Sequence, residues 1–166
     1  MKCIYWNARG LANAPTRLAL KRMLAEYSPD FCFLAEPWLS VNRFPNNWFN
    51  RLNLKIFAVN NRGPDEPNLW CICSKHIDPT MVLVDDQHIS FTVNDNGNNI
   101  GFSVIYASTN YIKRRMLWKS LSVIHNMPWT YIGDFNTTSG AHEYRGSFLL
   151  LSFLWRSSSV GLILIA

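Results

Sequence analysis

Residues 129–136, Trp129-Thr130-Tyr131-Ile132-Gly133-Asp134-Phe135-Asn136, form a short apolar run that passes without a spacer into a glycine, a carboxylate and a carboxamide. Aromatic and β-branched side chains make the first half a strand, and Gly-Asp with Asn makes the second half its exit turn. Three other apolar runs end in the same manner. Residues 3–6 stop at Asn7-Ala8-Arg9-Gly10, residues 31–35 stop at Glu36-Pro37, and residues 100–105 stop at Tyr106. A polar group at the exit of a buried strand sits on a rigid element at the rim of the core, where open α/β sheets place their sites. Asn7, Glu36, Tyr106, Asp134 and Asn136 converge if those strands share one sheet edge.

Outward from these runs, short strand patterns alternate with two helical ones. Asn13 is placed to cap a helix with Pro15 in its first turn, and Leu18, Leu20, Met23, Leu24 and Tyr27 mark the inward side; Ser28-Pro29-Asp30 stops it. Residues 39–51 read as an irregular excursion. Residues 55–59 and 69–74 read as paired strands around a turn-rich segment, 60–68. Strands at 81–84 and 89–93 follow, and Asn94-Asp95-Asn96-Gly97 is a turn before the strand at 100–106. A second helix over 112–125 has Met116, Leu117, Leu121 and Ile124 inward and Lys113, Arg114, Arg115 and Lys119 outward. The order predicts an α/β layered domain with sheet in the middle and helices outside.

Composition bounds the class. The 166 residues are 48% hydrophobic, 14% aromatic and 16% charged, which excludes a disordered chain or a coiled coil. Sixteen Lys and Arg against eleven Asp and Glu leave a net charge of +5, compatible with a phosphate-bearing partner such as nucleic acid. The N-terminal Met1-Lys2-Cys3-Ile4-Tyr5-Trp6 lacks the basic-then-apolar run of a signal peptide. Cys3, Cys32, Cys71 and Cys73 form no C-x-x-C pair and read as buried, reduced thiols. From Ser147 to Ala166 the one ionisable side chain is Arg156. Arg156 and Ser157–Ser159 break that apolar run below the about 18 residues of a membrane span. An intracellular protein, in nucleus or cytoplasm, neither secreted nor membrane-bound, is the expectation.

The strand-exit residues suit metal-assisted phosphodiester hydrolysis. Mg²⁺ prefers oxygen and takes one or two carboxylates, keeping waters and phosphate oxygens as further ligands. Glu36 is the candidate ligand, with Asn7 as a neutral oxygen ligand or an orienting group. Asp134 would orient or deprotonate the attacking water, and Asn136 and Tyr106 would donate to non-bridging phosphate oxygens. Taken singly, a strand-terminal Asn or Asp is a turn residue and a lone Tyr is a rim aromatic. The ordered combination carries the reading.

With these motifs the sequence resembles the endonuclease/exonuclease/phosphatase superfamily, which includes apurinic/apyrimidinic endonucleases and pancreatic-type deoxyribonucleases. Trp6-Asn7-Ala8-Arg9-Gly10-Leu11, Ala35-Glu36-Pro37, Ile105-Tyr106-Ala107, the helix around Arg114-Arg115-Met116-Leu117-Trp118 and Gly133-Asp134-Phe135-Asn136 are most similar to the endonuclease domain of plant LINE-type (non-LTR) retrotransposons. The resemblance implies a two-sheet α/β sandwich of the deoxyribonuclease-like type, Mg²⁺ dependence with Mn²⁺ as an alternative ion, and DNA as the partner. By position it makes Asn7 and Glu36 metal-site residues and Asp134, Asn136 and Tyr106 catalytic, with Arg9 and Asn110 as substrate contacts. The family's Tyr-Ala-Pro-Asn order stands here as Tyr106-Ala107-Ser108-Thr109-Asn110, which displaces the Asn by one residue.

The resemblance also implies an Asp-His pair late in the domain, and His142 is the only histidine after Asn136. Residues 1–146 therefore read as the N-terminal part of such a domain, incomplete at the C-terminus, and 147–166 as an apolar tail that is either an aberrant terminus or the product of a shifted frame. Bare sheet edges and weak or absent activity are the corresponding expectations. The alternatives are a non-catalytic retrotransposon-derived remnant or nucleic-acid-binding fragment, and a phosphatase of the same superfamily.

Overall fold

The computed structural model describes residues 1–45, 47–122 and 126–137, and the backbone of 161–164. The strands in chain order are β1 (Lys2–Asn7), β2 (Phe31–Ala35), β3 (Leu54–Val59), β4 (Leu69–Ser74), β5 (Thr80–Val84), β6 (His88–Asp95), β7 (Asn98–Tyr106), β8 (Trp129–Asp134) and β9 (Gly161–Leu164), with helices α1 (Ala14–Tyr27) and α2 (Tyr111–Leu121). They make one sheet in the order β3-β4-β2-β1-β9 and a second in the order β5-β6-β7-β8.

Two parallel pairs matter most. β1 lies parallel to β2 and β7 parallel to β8. Parallel neighbours need a long crossover, which α1 and α2 supply. Asn13 caps α1 by accepting from Thr16 N at 2.8 Å, with Pro in the first turn. Because each pair runs in one direction, its two exits fall at the same edge.

Alternation along the strands sorts the side chains into layers. Between the sheets, Phe31, Phe33, Cys71 and Tyr5 meet Phe91, Phe102, Val104 and Ile132. Phe31, Phe91 and Phe102 lie with ring centroids 5.3–5.7 Å apart. The opposite face of the first sheet packs Cys32, Leu34, Trp70 and Ile72 under Leu20 and Leu24 of α1. β2 is buried throughout, because it is covered on both faces. The second sheet buries Ile105 and Ala107 against Leu117 of α2. The two-sheet α/β sandwich expected from the sequence is the fold found.

Several local readings are corrected. The excursion after β2 holds two 3₁₀ turns, Val41–Arg43 and Asn50–Leu52, and buries Phe44 and Phe49 beside Trp70. Leu18 and Tyr27 of α1, expected inside, are exposed; so is Met116 of α2. Arg114, expected outside, is buried, and its Nη1 donates to Ser108 O at 2.9 Å and Thr109 O at 2.7 Å. It lies one helical turn before Leu117 on the sheet-facing side, and the loop before the helix offers carbonyls to satisfy it. Ile124 lies outside the described residues, as do His142 and the boundary expected after residue 146. The reading gave residues 147–166 no strand, whereas Gly161–Leu164 pairs antiparallel with β1, so that edge is covered.

All four cysteines are free and buried, and burial pushes the Cys3 and Cys32 thiols up to about 12. Gly133 has φ +150°, and a β-carbon there would stand 2.0 Å from Ile105 O. The close parallel approach of β8 to β7 requires glycine at this point. Gly133→Ala is expected to lose roughly 2 kcal/mol or more, read as a fall in the urea midpoint, through combined strain and overpacking.

His88 is buried on β6, where burial holds its imidazole below the usual 6.5 while Asp85 and Asp86 pull the other way. The unfolded chain therefore takes up this proton at higher pH than the folded chain does. Stability falls as pH drops below 6.5, because the unfolded state then binds more protons. Urea midpoints compared at about pH 7.5 and about pH 5.5 should drop more for the native chain than for His88→Gln.

Candidate active site

At the exits of β1 and β2 the two chains continue side by side. Asn7 is in register with Ala35, and beyond them Ala8 N donates to Ala35 O, Gly10 N to Glu36 O and Leu11 N to Pro37 O, all within 2.8–2.9 Å. The backbone turns through the left-handed region at Arg9 (φ 47°), Glu36 (φ 50°) and Trp38 (φ 47°). Non-glycine residues pay for that geometry, which gathers at functional sites. The turns aim the Glu36 carboxylate across the exit of β1, where Asn7 Nδ2 donates to its Oε1 at 2.8 Å. Asn7 Oδ1 accepts from Arg9 N at 3.3 Å.

β7 and β8 repeat the arrangement in the other sheet. Tyr106 is in register with Asp134, and Ala107 N donates to Asp134 O at 2.8 Å. The Asp134 carboxylate accepts Asn136 N at 2.9 Å, and Asn136 Nδ2 donates to Ala107 O at 2.6 Å. Asn136 is itself left-handed, at φ 46°. The sheets then meet. Tyr106 Oη donates to Glu36 Oε1 at 2.5 Å, joining residues 70 positions apart in the sequence. Burial raises the Tyr106 hydroxyl well above its ordinary value, the Glu36 hydrogen bond and charge add to this, and Asp134 contributes further. The raised value suits Tyr106 as the donor of the hydrogen bond to Glu36.

Of the residues singled out in the sequence, Asn7, Glu36 and Tyr106 are in direct contact, and Asp134 and Asn136 flank them. Arg9 sits on the exposed turn beyond Asn7. Asn110 is elsewhere employed: its side chain caps α2 by accepting Ile112 N at 2.8 Å. Among the described residues, no three His, Cys, Asp or Glu side chains gather as a ready-made metal cage.

Four residues escaped the sequence reading. Tyr5, from the middle of β1, donates to Ile105 O at 3.0 Å and is a second tyrosine tie between the sheets. Asn60 is buried and fully used: Nδ2 donates to Asn68 Oδ1 and Asp86 O, and Oδ1 accepts Asn68 N and Leu69 N. Asn68 O accepts Glu36 N, and Gln87 O accepts Tyr106 N, both at 2.9 Å. Gln87 further accepts Ser108 N and donates to Lys113 O. The path Glu36–Asn68–Asn60–Asp86–Gln87–Tyr106 returns to Glu36 through the tyrosine hydroxyl, so one closed ring fixes the two halves of the site. In the sequence Asn60 and Asn68 only bracket a turn-rich segment; no local signal distinguishes a buried, saturated Asn from a turn Asn. Beside Tyr106 the ring borders a cleft of about 260 Å³ lined by Arg62, Asn68, Gln87, Ser108, Lys113 and Asn136.

Neither a protein-family model nor a curated protein matches the chain. Solved structures do. An AP endonuclease from Archaeoglobus fulgidus superposes with a TM-score of 0.65 at 16% identity, covering 88% of this chain and 61% of that one. The endonuclease domain of TRAS1, a telomere-specific non-LTR retrotransposon, gives 0.60 at 14% identity, covering 83% of this chain and 61% of that one. An endonuclease/exonuclease/phosphatase family protein from Leptotrichia buccalis gives 0.53 at 16% identity, covering 82% and 67%. At these identities the likeness is one of fold, the deoxyribonuclease-like α/β sandwich. The chain spans about three-fifths of the length of the first two structures.

Asn60→Ala leaves two amides and two acceptors of the ring unpaired in a buried place. It is expected to cost about 1–3 kcal/mol in denaturant unfolding, against a few tenths for Arg22→Ala on the exposed face of α1.

Proposed function

We propose that the chain carries the site of a metal-dependent DNA endonuclease, nearest in kind to those of plant LINE-type retrotransposons. The observation that supports this is the meeting of Asn7, Glu36 and Tyr106 on one carboxylate oxygen, with Asp134 in register beside Tyr106. The donor set fits a hard cation: a carboxylate and a carboxamide, with no sulfur or imidazole ligand in the arrangement. Both hydrogen bonds to Glu36 land on Oε1, so Oε2 is the oxygen it would offer to Mg²⁺ or Mn²⁺, with Asn7 holding the carboxylate's plane. A bound divalent cation supplies positive charge to the phosphate and to the departing oxyanion.

The chain's own residues account for the rest of the reaction. Asp134 Oδ1 is held by Asn136 N, which leaves Oδ2 to take the proton of the attacking water. The single hydroxyl hydrogen of Tyr106, held by Glu36 Oε1 in the free site, would turn to a non-bridging oxygen when the phosphate binds, and Asn136 offers the amide hydrogen that Ala107 O does not use. DNA fits the net charge of +5, and action in nucleus or cytoplasm fits four buried, reduced cysteines.

Nicking of supercoiled plasmid with Mg²⁺ tests the assignment. Glu36→Gln and Asp134→Asn should each lower the rate by about 100-fold or more, and chelation should abolish it. Equal background in all three proteins would support the non-catalytic nucleic-acid-binding alternative, and hydrolysis confined to phosphomonoesters would support a phosphatase.

A further inference from the structure

Trp38 stands two residues beyond Glu36, and nothing in the core accounts for its conformation. Its backbone lies at φ 47°, rare and costly for a bulky side chain, yet the residue is 65% exposed. The ring is not loose. A β-carbon on Gly10 would come within 3.1 Å of Trp38 Cε3, so the indole rests on the bare backbone of the β1 exit turn. That floor is tied to the Trp38 segment on both sides, by Gly10 N to Glu36 O and Leu11 N to Pro37 O at 2.8 Å each. Pro37 between the two left-handed residues stiffens the turn further. Arg9, left-handed and exposed, lies next to Gly10 on the same floor. The result is a rigid, backed aromatic surface open to water at the rim of the Glu36 site.

We propose that Trp38 is a stacking platform for a nucleobase adjoining the phosphodiester held at Glu36. This rests on the DNA-cleaving reading above and deepens it. A backed indole presents a flat face at little entropic cost, and every base has a π-face to lay on it, so the platform binds polynucleotide without choosing sequence. The left-handed backbone and the Gly10 seat hold the ring out of the core, on the turn that carries Glu36. A small phosphate ester with no base gains nothing from it.

Fluorescence anisotropy with a labelled DNA oligonucleotide in EDTA, where no cleavage occurs, separates the platform from catalysis. Trp38→Ala and Trp38→Leu should each weaken binding by roughly 5- to 100-fold, while Trp38→Phe retains most of it. On an oligonucleotide whose bases are all replaced by abasic tetrahydrofuran units, the native chain and all three variants should bind alike. Equal affinities on base-bearing DNA, an equal loss on the base-free backbone, or a Leu variant as tight as the native chain would overturn the platform. Circular dichroism shows that each variant is folded, and the contrast between the Leu and Phe variants carries the test if Ala perturbs the turn. Trp38-dependent binding without plasmid nicking would sink the catalytic reading alone; nicking with no Trp38 dependence would sink the platform alone.

Discussion

One carboxylate oxygen is shared by both halves of this molecule. Glu36 Oε1 receives Asn7 from its own sheet at 2.8 Å and Tyr106 from the facing sheet at 2.5 Å. A half-buried carboxylate at a sheet rim is costly unless such donors meet it, and once met it holds the two sheets at a set separation. The arrangement follows from the two parallel pairs. A crossover helix returns each second strand in the direction of the first, so Asn7 with Glu36, and Tyr106 with Asp134, come out in adjacent places.

The interior then works as the floor of the site. Packed aromatic rings between the sheets prevent one sheet from sliding over the other, because a close-packed core has no alternative seat for them. Above that floor the ring through Asn68, Asn60, Asp86 and Gln87 couples the β3–β4 loop to the start of β6. Gly133 admits β8 close enough to β7 to bring Asp134 level with Tyr106. Arg9, Glu36, Trp38 and Asn136 take left-handed backbone at the strand exits, where side chains must leave their strands at a sharp angle, while Ser28, Asn53 and Asn96 take it at a helix end, a 3₁₀ turn and a hairpin turn.

Much of this was legible in the chain. Strand runs bounded by turn residues placed β1, β2, β4 and β8 within a residue or two, and Asn13 with Pro15 marked the start of α1. The five strand-exit residues were found because polar groups directly after apolar runs are uncommon in a chain with few charges. Helix faces were less legible. Arg114 reads as solvated because arginine normally is, and its burial depends on carbonyls of Ser108 and Thr109 that adjoin it only in the folded loop. Leu18, Tyr27 and Met116 read as core because helical period marks a face without saying how wide a strip the sheet covers.

By itself the sequence determined what local chemistry can determine: which segments are strands and helices, where they stop, and which polar residues stand at those stops. Side-chain alternation, cap preference and glycine tolerance act over a few residues and are written in adjacent letters. Only the tertiary structure decided that the exits of β1, β2, β7 and β8 share one rim and that Tyr106 reaches Glu36. It alone made Asn60 and Gln87 ties between the sheets, Asn110 a helix cap, and Trp38 an exposed ring backed by Gly10. Those facts depend on pairing and packing between residues up to 70 positions apart, and on buried polar groups having to find partners wherever the fold supplies them.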